Sequence, residues 1–393
     1  MTDTISLTDG QDTALRDRWP DLFRGAFLVI SLLFVLGLLA WDVSRGGHGW
    51  KQGDWLINDL EGPIRRGPFG SAMIGLADLL GTSPLIVVAS LQAVLTVGLY
   101  AVVWRLGNRM PDRRAALILT LSPAMFAVFW VADPTGGLRK ELIAFLALAL
   151  AGTGVAAGSR VAFAAGTALM ALAVWSHEAL ILFLPTWLVL AGMGLHIGLG
   201  RLFLTVLSVA LAVASALALG YALGHPTVDD HMTVCAALLE RGTSEHMCNA
   251  AVRWTERGAA AGAAAVMENL NPVRLAGSAI AYALSLLAAG HVIHTLPRRK
   301  TLFVLALAAA VPFLPLYPVA LDWGRWIAFH VFSVTVILMT SLAAGIQRPS
   351  APIGRAMTLR LVVLALLISP AHTTGAELGG ALRTLLEETI WLV

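Results

Sequence analysis

The fold is decided by residues 141–200, which read ELIAFLALALAGTGVAAGSRVAFAAGTALMALAVWSHEALILFLPTWLVLAGMGLHIGLG. Apolar runs fill 141–158, 161–176 and 179–196, and only a few polar residues separate each run from the next. A helix needs about 20 apolar residues to cross a hydrocarbon core. Consecutive runs near that length, joined by short polar hairpins, predict helices that pass back and forth across a bilayer.

The composition of the whole chain indicates the same class of protein. Of its 393 residues, 58% are hydrophobic and only 13% are charged. A soluble domain has about 25% charged residues, so this chain lacks the polar side chains that a water-exposed surface needs. Backbone amides in lipid must pair within their own segment, which favours helices. The sequence therefore predicts an all-α, polytopic transmembrane helix bundle with about 11 spans. The expected spans are 25–41, 83–104, 115–131, 141–158, 161–176, 179–196, 202–223, 275–295, 301–316, 326–345 and 357–370.

We expect one integral membrane domain at 25–370, preceded by a cytoplasmic N-terminal segment at 1–24 and followed by an outer interfacial tail at 371–393. No small-residue cleavage motif follows the first apolar run, which is therefore expected to be a retained anchor. The run FGSAMIGLADLLG (69–81) predicts an amphipathic helix in the first outer loop. The outer segment 224–274, between spans seven and eight, is expected to fold into short helices.

The distribution of basic residues orients the bundle. With the N-terminus inside, cytoplasmic segments carry 15 of the 27 lysines and arginines but only 6 of the 24 acids. The bias is strongest in the short loops 105–114 and 297–300, where the positive-inside rule has most force. The pI near 9.1 comes mainly from these flanks. It indicates contact with anionic lipid, and no nucleic-acid partner is expected.

Two cysteines, Cys235 and Cys248, lie thirteen residues apart in the second outer segment. In an oxidising compartment this spacing allows a disulfide, and two buried free thiols are the alternative.

Every clear polar cluster falls at the outer end of its span in this topology. A protein that only needed to reside in lipid would have no reason to collect acids, bases and guanidinium groups there, so we expect the functional site at this end. The residues of these clusters are Asp54, Asp59, Glu61, Arg65, Arg66, Asp133, Arg139, Lys140, Glu141, His177, Glu178, Asp322 and Arg325.

One of these clusters opens the fourth span, in ADPTGGLRKELIAF (132–145). Asp133-Pro134 and two glycines form a turn, after which Arg139 and Lys140 begin the helix. A helix N-terminus favours anions, and the two cations add formal charge that suits a phosphate group. The alternative is a basic pair that extends to lipid headgroups.

Two further pairs lie at short corners. His177 and Glu178 join two spans and offer a proton acceptor beside a carboxylate, as activation of a hydroxyl requires; the alternative is a solvated hairpin tip. Asp322 and Arg325 are three residues apart, so they share a helix face and either bind substrate or form a structural ion pair.

Acids and bases also adjoin in the first outer loop. Asp54, Asp59 and Glu61 precede Arg65-Arg66, and this set could bind a metal, orient a sugar or neutralise itself. No Asp-x-Asp, zinc-ligand spacing or phosphate-cradling loop is present in the sequence. We therefore expect no cofactor, while the sequence leaves a need for metal open.

The order of these pieces resembles the EpsG/Wzy-type exopolysaccharide polymerases. The resemblance covers roughly residues 50–345 and is one of spacing and residue type. The segments that carry it are GDWLINDLEGPIRRGPFGSAMIGLADLLG (53–81), GGLRKELIAFLALAL (136–150), WSHEALILFLP (175–185) and DWGRWIAFH (322–330).

The resemblance implies an inverting glycosyltransferase of a bacterial inner (plasma) membrane, acting at the outer leaflet. Its donor would be a polyprenyl-diphosphate-linked oligosaccharide and its acceptor a hydroxyl group. Other polysaccharide assembly proteins are further candidate partners. The roles it implies are diphosphate binding by Arg139, Lys140 and Arg325, and catalysis by His177, Glu178 and Asp54. Supporting roles fall to Asp322, Asp133, Asp59, Glu61, Arg65 and Arg66.

Two alternatives remain open from the sequence. One is a transporter or flippase for an anionic lipid or saccharide, although transporters usually place ionisable residues near the bilayer midplane. The other is a non-catalytic component of an envelope polysaccharide assembly complex.

The orientation is testable by cysteine labelling in intact cells. We expect Asp229→Cys to react with a membrane-impermeant maleimide, because residue 229 is predicted to lie outside. Arg299→Cys should react only after permeabilisation, because residue 299 lies in a predicted cytoplasmic loop. The reverse pattern would show that the bundle is inserted the other way round.

Overall fold

The computed structural model describes residues 8–373 and 379–390 and folds them into a bundle of α-helices. Within those residues no β-strand occurs, and an isolated antiparallel bridge joins Ser369 to Gly379. The helices are α1 (Thr8–Ser44), α2 (Gly67–Leu80), α3 (Pro84–Asn108), α4 (Arg113–Thr120), α5 (Phe126–Ala132), α6 (Glu141–Ala157), α7 (Arg160–Ser176), α8 (Leu184–His196), α9 (Arg201–Gly224), α10 (His231–Leu239), α11 (Ala259–Asn269), α12 (Pro272–His294), α13 (Arg299–Ala308), α14 (Trp323–Ala343), α15 (Arg355–Leu367) and α16 (Ala381–Ile390). Short 3-10 helices cover Gly53–Leu56, Pro134–Gly136, Glu178–Phe183, Glu245–Asn249, Arg253–Glu256 and Val311–Leu316.

Seven helical stretches in the described part of the chain are long and apolar enough to cross a membrane. They are Arg18–Ser44, Pro84–Asn108, Glu178–His196, Arg201–Gly224, Pro272–His294, Arg299–Leu316 and Trp323–Ala343. The predicted polytopic helical membrane fold is therefore confirmed. The remaining predicted spans are shorter: α6 and α7 have 17 residues each and α15 has 13. At a rise of 1.5 Å per residue such helices reach about 20–26 Å, less than the ~30 Å of a hydrocarbon core.

The predicted span at 115–131 is interrupted between α4 and α5. Pro123 lies in the gap and has no N–H to donate to a helix. Its carbonyl instead accepts a hydrogen bond from the Ser369 hydroxyl at 2.7 Å. A backbone group freed by the break is thus satisfied by another segment of the protein, as an apolar environment requires.

Helices α6 and α14 form the centre of the bundle. Most residues of both are buried, and α6 packs against α3, α7, α8 and α14. Glycines allow α6 and α7 to approach closely: a Cβ at Gly154 would lie 2.6 Å from the Phe163 nitrogen, and one at Gly166 would lie 2.6 Å from the Ala147 carbonyl oxygen. Small residues at such contacts are the usual device for close packing between membrane helices.

Ion pairs between segments collect at the two ends of the bundle. We call one end the site face; it is formed by residues 45–66, 133–140, 177–178, 225–271, 317–325 and 368–372. At the opposite face, Arg160 Nε also donates to the Leu199 carbonyl at 2.7 Å. The outer segments predicted from the sequence thus share one end, and the side of the membrane that this end faces stays a prediction.

The first loop of the site face folds inward against the turn that precedes α6. Trp55 is fully buried, and its indole N–H donates to the Leu138 carbonyl at 3.0 Å. The amide of Gln92, from α3, donates to the same carbonyl at 2.6 Å. The backbone immediately before Arg139 and Lys140 is therefore held by two separate elements.

Helix α2 is the predicted amphipathic helix of this loop. It buries Phe69, Ile74 and Ala77 and exposes Leu79 and Leu80 on its other side. The second loop forms α10, α11 and two of the 3-10 helices.

Contacts join the two loops at the site face. Asn58 Nδ2 in the first donates to the Val234 carbonyl in the second at 2.8 Å. Cys235 and Cys248 are bonded as a disulfide within the second loop, with their Cα atoms 5.8 Å apart. The first loop therefore packs against the second loop, which is closed by this disulfide.

The C-terminal segment returns to the site face. Helix α16 packs against α5, and the Thr384 hydroxyl donates to the Ala132 carbonyl at 3.1 Å. Parts of the predicted tail (374–378 and 391–393) and of the predicted N-terminal segment (1–7) lie outside the described residues.

A pair of glycines in α2 tests how tightly the first loop is packed. A Cβ at Gly70 would lie 1.9 Å from the Ile57 carbonyl oxygen, whereas one at Gly75 would meet nothing within 4 Å. We expect Gly70→Ala to lower the free energy of unfolding by about 1–3 kcal/mol, because the backbone must move apart. Gly75→Ala, the matched control, should be neutral or slightly stabilising. Thermal unfolding in detergent measures both, and equal transitions would contradict this packing.

Candidate functional site

Ten side chains from separate segments form one charged cluster at the site face. Its members come from the first loop, the turn before α6, the corner after α7 and the start of α14. They are Asp54, Arg65, Arg66, Arg139, Lys140, Glu141, His177, Glu178, Asp322 and Arg325. Most predicted site residues are therefore close in space.

Arg325, in the first turn of α14, forms the most enclosed ion pair of the cluster. Its Nε and Nη2 donate to the two carboxylate oxygens of Glu141 at 2.9 and 2.8 Å. Its Nη1 donates to Asp322 Oδ2 at 2.5 Å. The predicted pairing of Asp322 with Arg325 is thus present. The partner Glu141 received no role from the sequence, although it directly follows Arg139 and Lys140.

Arg66 links the first loop to the corner after α7. Its Nε and Nη2 donate to Glu178 at 3.1 and 3.0 Å, and its Nη1 lies 3.5 Å from Asp54 Oδ1. Burial alone would lower the pKa of Arg66, but Glu178 and Asp54 raise it. Arg66 also has a φ of 68°, a left-handed conformation that is uncommon for a residue with a side chain. Arg66 therefore pairs with Glu178 while its own backbone is in a disfavoured conformation.

His177 is buried and neutral. Its Nδ1 accepts a hydrogen bond from the Ala179 backbone N–H at 3.1 Å. Burial, reinforced by the charge of Arg66, lowers the pKa of His177 to about 3. The proton of the neutral ring therefore lies on Nε2, which leaves an N–H donor and no free lone pair. This arrangement disfavours the base role that the sequence predicts for His177, and Glu178 is engaged by Arg66.

Arg139 and Lys140 differ from the other cations of the cluster because no carboxylate of the described residues bonds to them directly. Arg139 donates through Nε and Nη2 to the Thr135 carbonyl, at 3.3 Å each, and its guanidinium lies 5.5 Å from the Trp50 ring centre. Lys140 Nζ is fully buried, has no hydrogen-bond partner among the described residues and lies 5.7 Å from the Phe69 ring centre. These two cations retain donors for a ligand.

Asp54 faces the free ammonium group. Burial would raise the pKa of the Asp54 carboxyl, but the charges of Lys140 and Arg66 together lower it to about 2. Asp54 is therefore ionised, and it offers a weakly basic carboxylate for orienting a hydroxyl or a cation.

Two predicted supporting residues lie apart from the charged cluster. Asp59 accepts hydrogen bonds from the Ser71 hydroxyl and, at 2.7 Å, from the Tyr221 hydroxyl, so it ties the first loop to α9. Glu61 is exposed. The structure gives neither residue a place beside the cations.

Asp133 bonds to a residue that the sequence did not indicate. Its Oδ2 lies 2.7 Å from His372 Nδ1 and accepts the His372 backbone N–H at 2.8 Å. Burial alone would raise the pKa of Asp133, but the hydrogen bond from His372 holds it well below its usual range. His372 is an isolated histidine in the predicted tail, and no pattern in the sequence predicted its contact with Asp133.

Asp230, His231 and Glu256 offer metal-ligand atoms within 4.8 Å of one another in the second loop. These atoms already bond within the loop: His231 donates to Glu256 Oε1 through its backbone N–H at 2.9 Å, and Asp230 caps α10 by accepting from Met232. The group serves as a structural link.

A comparison of the chain with known protein families, curated proteins and solved structures found no match. Its function is therefore argued from the site itself.

The burial of Lys140 generates a prediction about stability. Burial lowers the pKa of Lys140 from 10.5 to about 8, so at neutral pH the folded protein holds an ammonium group in surroundings that disfavour its charge. We expect Lys140→Met to raise the free energy of unfolding at pH 7 by something on the order of 3 kcal/mol.

This gain has a defined pH dependence. It should be complete below about pH 8 and shrink towards pH 10.5, because wild type gains stability as folded Lys140 loses its proton. Denaturation in detergent across this range measures it, and Lys300→Met, at an exposed lysine, is the control. A Lys140→Met protein no more stable than wild type would contradict the assignment.

Proposed function

We propose that this protein is an inverting membrane glycosyltransferase of the polysaccharide polymerase type. It transfers a sugar from a polyprenyl-diphosphate carrier to a hydroxyl acceptor at the outer leaflet of a bacterial plasma membrane, for surface polysaccharide synthesis. The observation that carries this proposal is the pair Arg139 and Lys140, two buried cations to which no carboxylate is bonded in the described part of the chain.

The charge balance of the cluster favours an anionic ligand. Five cations face four carboxylates, and His177 is neutral, so the ligand-free cluster has an excess of positive charge. Arg325 and Arg66 are offset by their partners, so the excess is concentrated at Arg139 and Lys140. A diphosphate diester carries two negative charges and many acceptor oxygens. Such a group would supply the hydrogen bonds that these cations lack.

The same groups suit the chemistry of transfer. The acceptor oxygen attacks the anomeric carbon from the side opposite the diphosphate, the bond from that carbon to the phosphate oxygen breaks, and the configuration inverts. Negative charge grows on the departing diphosphate, where buried cations stabilise it strongly. The His177 Nε2–H is a further donor within the cluster.

The position of the site in the bundle favours a lipid-linked substrate over transport. The charged cluster lies at one end of the helices, whereas transport sites generally lie near the bilayer midplane. A lipid-carried donor also fits an outward orientation, since nucleotide sugars are not available there. The resemblance to EpsG/Wzy-type polymerases supports the same reaction.

The test is elongation by purified protein in liposomes that contain polyprenyl-diphosphate oligosaccharides. We expect wild type to yield longer glycans and Arg139→Ala to lose at least about a hundredfold in rate, since it removes a donor to the leaving group. Lys140→Met should also lose activity even though it is expected to fold more stably. Arg105→Ala, at an exposed arginine of the opposite face, is the matched control.

Folding is monitored alongside by size-exclusion chromatography in detergent. Loss of product from a folded, inserted Arg139→Ala protein identifies an enzyme, whereas a scaffold would lose assembly or abundance. Normal elongation by Arg139→Ala and Lys140→Met would contradict the proposed site. Export of glycolipid without elongation would favour a transporter.

A further inference from the structure

The C-terminal segment brings a second histidine to the edge of the charged cluster. His372 Nδ1 lies 2.7 Å from Asp133 Oδ2, which also accepts the His372 backbone N–H at 2.8 Å. The other oxygen, Oδ1, accepts the Thr135 hydroxyl at 2.7 Å and the Thr135 backbone N–H at 3.2 Å. Asp133 is thus held at both oxygens while it orients the imidazole.

These contacts determine which ring nitrogen of His372 carries the proton. Asp133 is ionised and only accepts hydrogen bonds, so His372 donates its Nδ1–H to it. The Thr135 hydroxyl is 2.9 Å from Nδ1 and 3.4 Å from Nε2, but its proton is donated to Asp133. In the neutral ring, Nε2 therefore has a free lone pair. In His177, by contrast, the proton lies on Nε2 and the lone pair of Nδ1 accepts a backbone N–H.

Close packing places His372 beside the groups that face the diphosphate. A Cβ at Gly324, next to Arg325, would lie 1.8 Å from the Ala371 carbonyl oxygen and 3.0 Å from the His372 Cα. The Thr135 carbonyl accepts the hydrogen bonds of Arg139. The tail therefore reaches both diphosphate-binding corners.

We propose that His372 is the catalytic base of the transfer reaction and that Asp133 is its positioning residue; this rests on the proposed function. The acceptor hydroxyl binds at His372 Nε2 and gives its proton to that nitrogen as its oxygen attacks the anomeric carbon. The electron pair of the broken bond leaves with the diphosphate. The imidazolium is stabilised by Asp133 and returns its proton to water, since the His372 side chain is 16% exposed.

Charged groups lie on several sides of His372. Asp133 contacts it directly, and Asp322, at the start of α14, interacts with it electrostatically. Arg139 and Arg325 interact with the same Asp322. The base functions when neutral, so the rate should fall as the pH is lowered.

The first experiment is the pH profile of kcat/KM for elongation in liposomes. We expect His372→Gln to lose about 10²–10⁴ in rate, and its residual activity should lack the acidic limb of wild type. Asp133→Asn should also lose activity, because an amide no longer favours the His372 tautomer with its proton on Nδ1. The acidic limb of its pH profile should lie at a different pH from that of wild type. His196→Gln, at an exposed histidine of the opposite face, is the control.

Chemical rescue separates catalysis from structure. Added imidazole should restore part of the activity of His372→Ala if a missing base is the defect, and a merely structural loss would not respond. Wild-type elongation together with an unchanged rate and pH profile in His372→Gln would overturn the base assignment and leave the proposed function standing. Failure of wild type to elongate any lipid-diphosphate donor would overturn both.

The tautomer is measurable without activity. In ¹⁵N-histidine-labelled protein at neutral pH, NMR should show the proton of His372 on Nδ1 and that of His177 on Nε2. Asp133→Asn should abolish the Nδ1–H signature of His372. A His372 ring protonated on Nε2 in wild type would overturn the dyad whatever the assay shows.

Discussion

The buried ion pair between Arg325 and Glu141 is the contact on which the site face depends. It joins the first turn of α14 to the first turn of α6, the two helices at the centre of the bundle, through two parallel hydrogen bonds. Taking both charges out of water is costly, and that cost is recovered only when the pair is intact and well oriented. The pair therefore fixes the register between the central helices. Because Arg139 and Lys140 immediately precede Glu141, the pair also fixes their position along the axis of the bundle.

Around that pair, the remaining charges divide into matched and unmatched groups. Arg66 is matched by Glu178 and Asp54, whereas Arg139 contacts a carbonyl and an aromatic ring and has no bonded carboxylate among the described residues. Lys140 is enclosed without any hydrogen-bond partner in the described chain. Unmatched cations in an enclosed place destabilise a fold, and an anionic ligand as proposed above would supply the missing partners. The distribution of partners, more than the presence of charge, is what separates the proposed binding site from a structural network.

Much of this architecture was predictable because hydropathy is a local property. Apolar runs predicted the helices, and their alternation predicted that Asp54, Arg139, His177 and Arg325 share one end. Pro123, inside an expected span, is where the prediction of a continuous helix was wrong.

Pairings between distant segments were not predictable in the same way. Glu141 and Arg325 are 184 residues apart, and His372 meets Asp133 across 239 residues. No periodicity links such positions. The tautomer of His177 depends on a single backbone N–H that only coordinates reveal.

The backbone at Arg66 has a consequence for engineering. A redesign guided by conformational preference would install glycine there, since a left-handed residue with a side chain costs roughly 1–2 kcal/mol. The redesigned protein would relieve that strain but lose the only guanidinium that bridges Glu178 and Asp54 within the described chain. Two enclosed carboxylates would be left without their partner, which costs more than the strain. Libraries that seek a more stable protein therefore have a reason to hold position 66 constant.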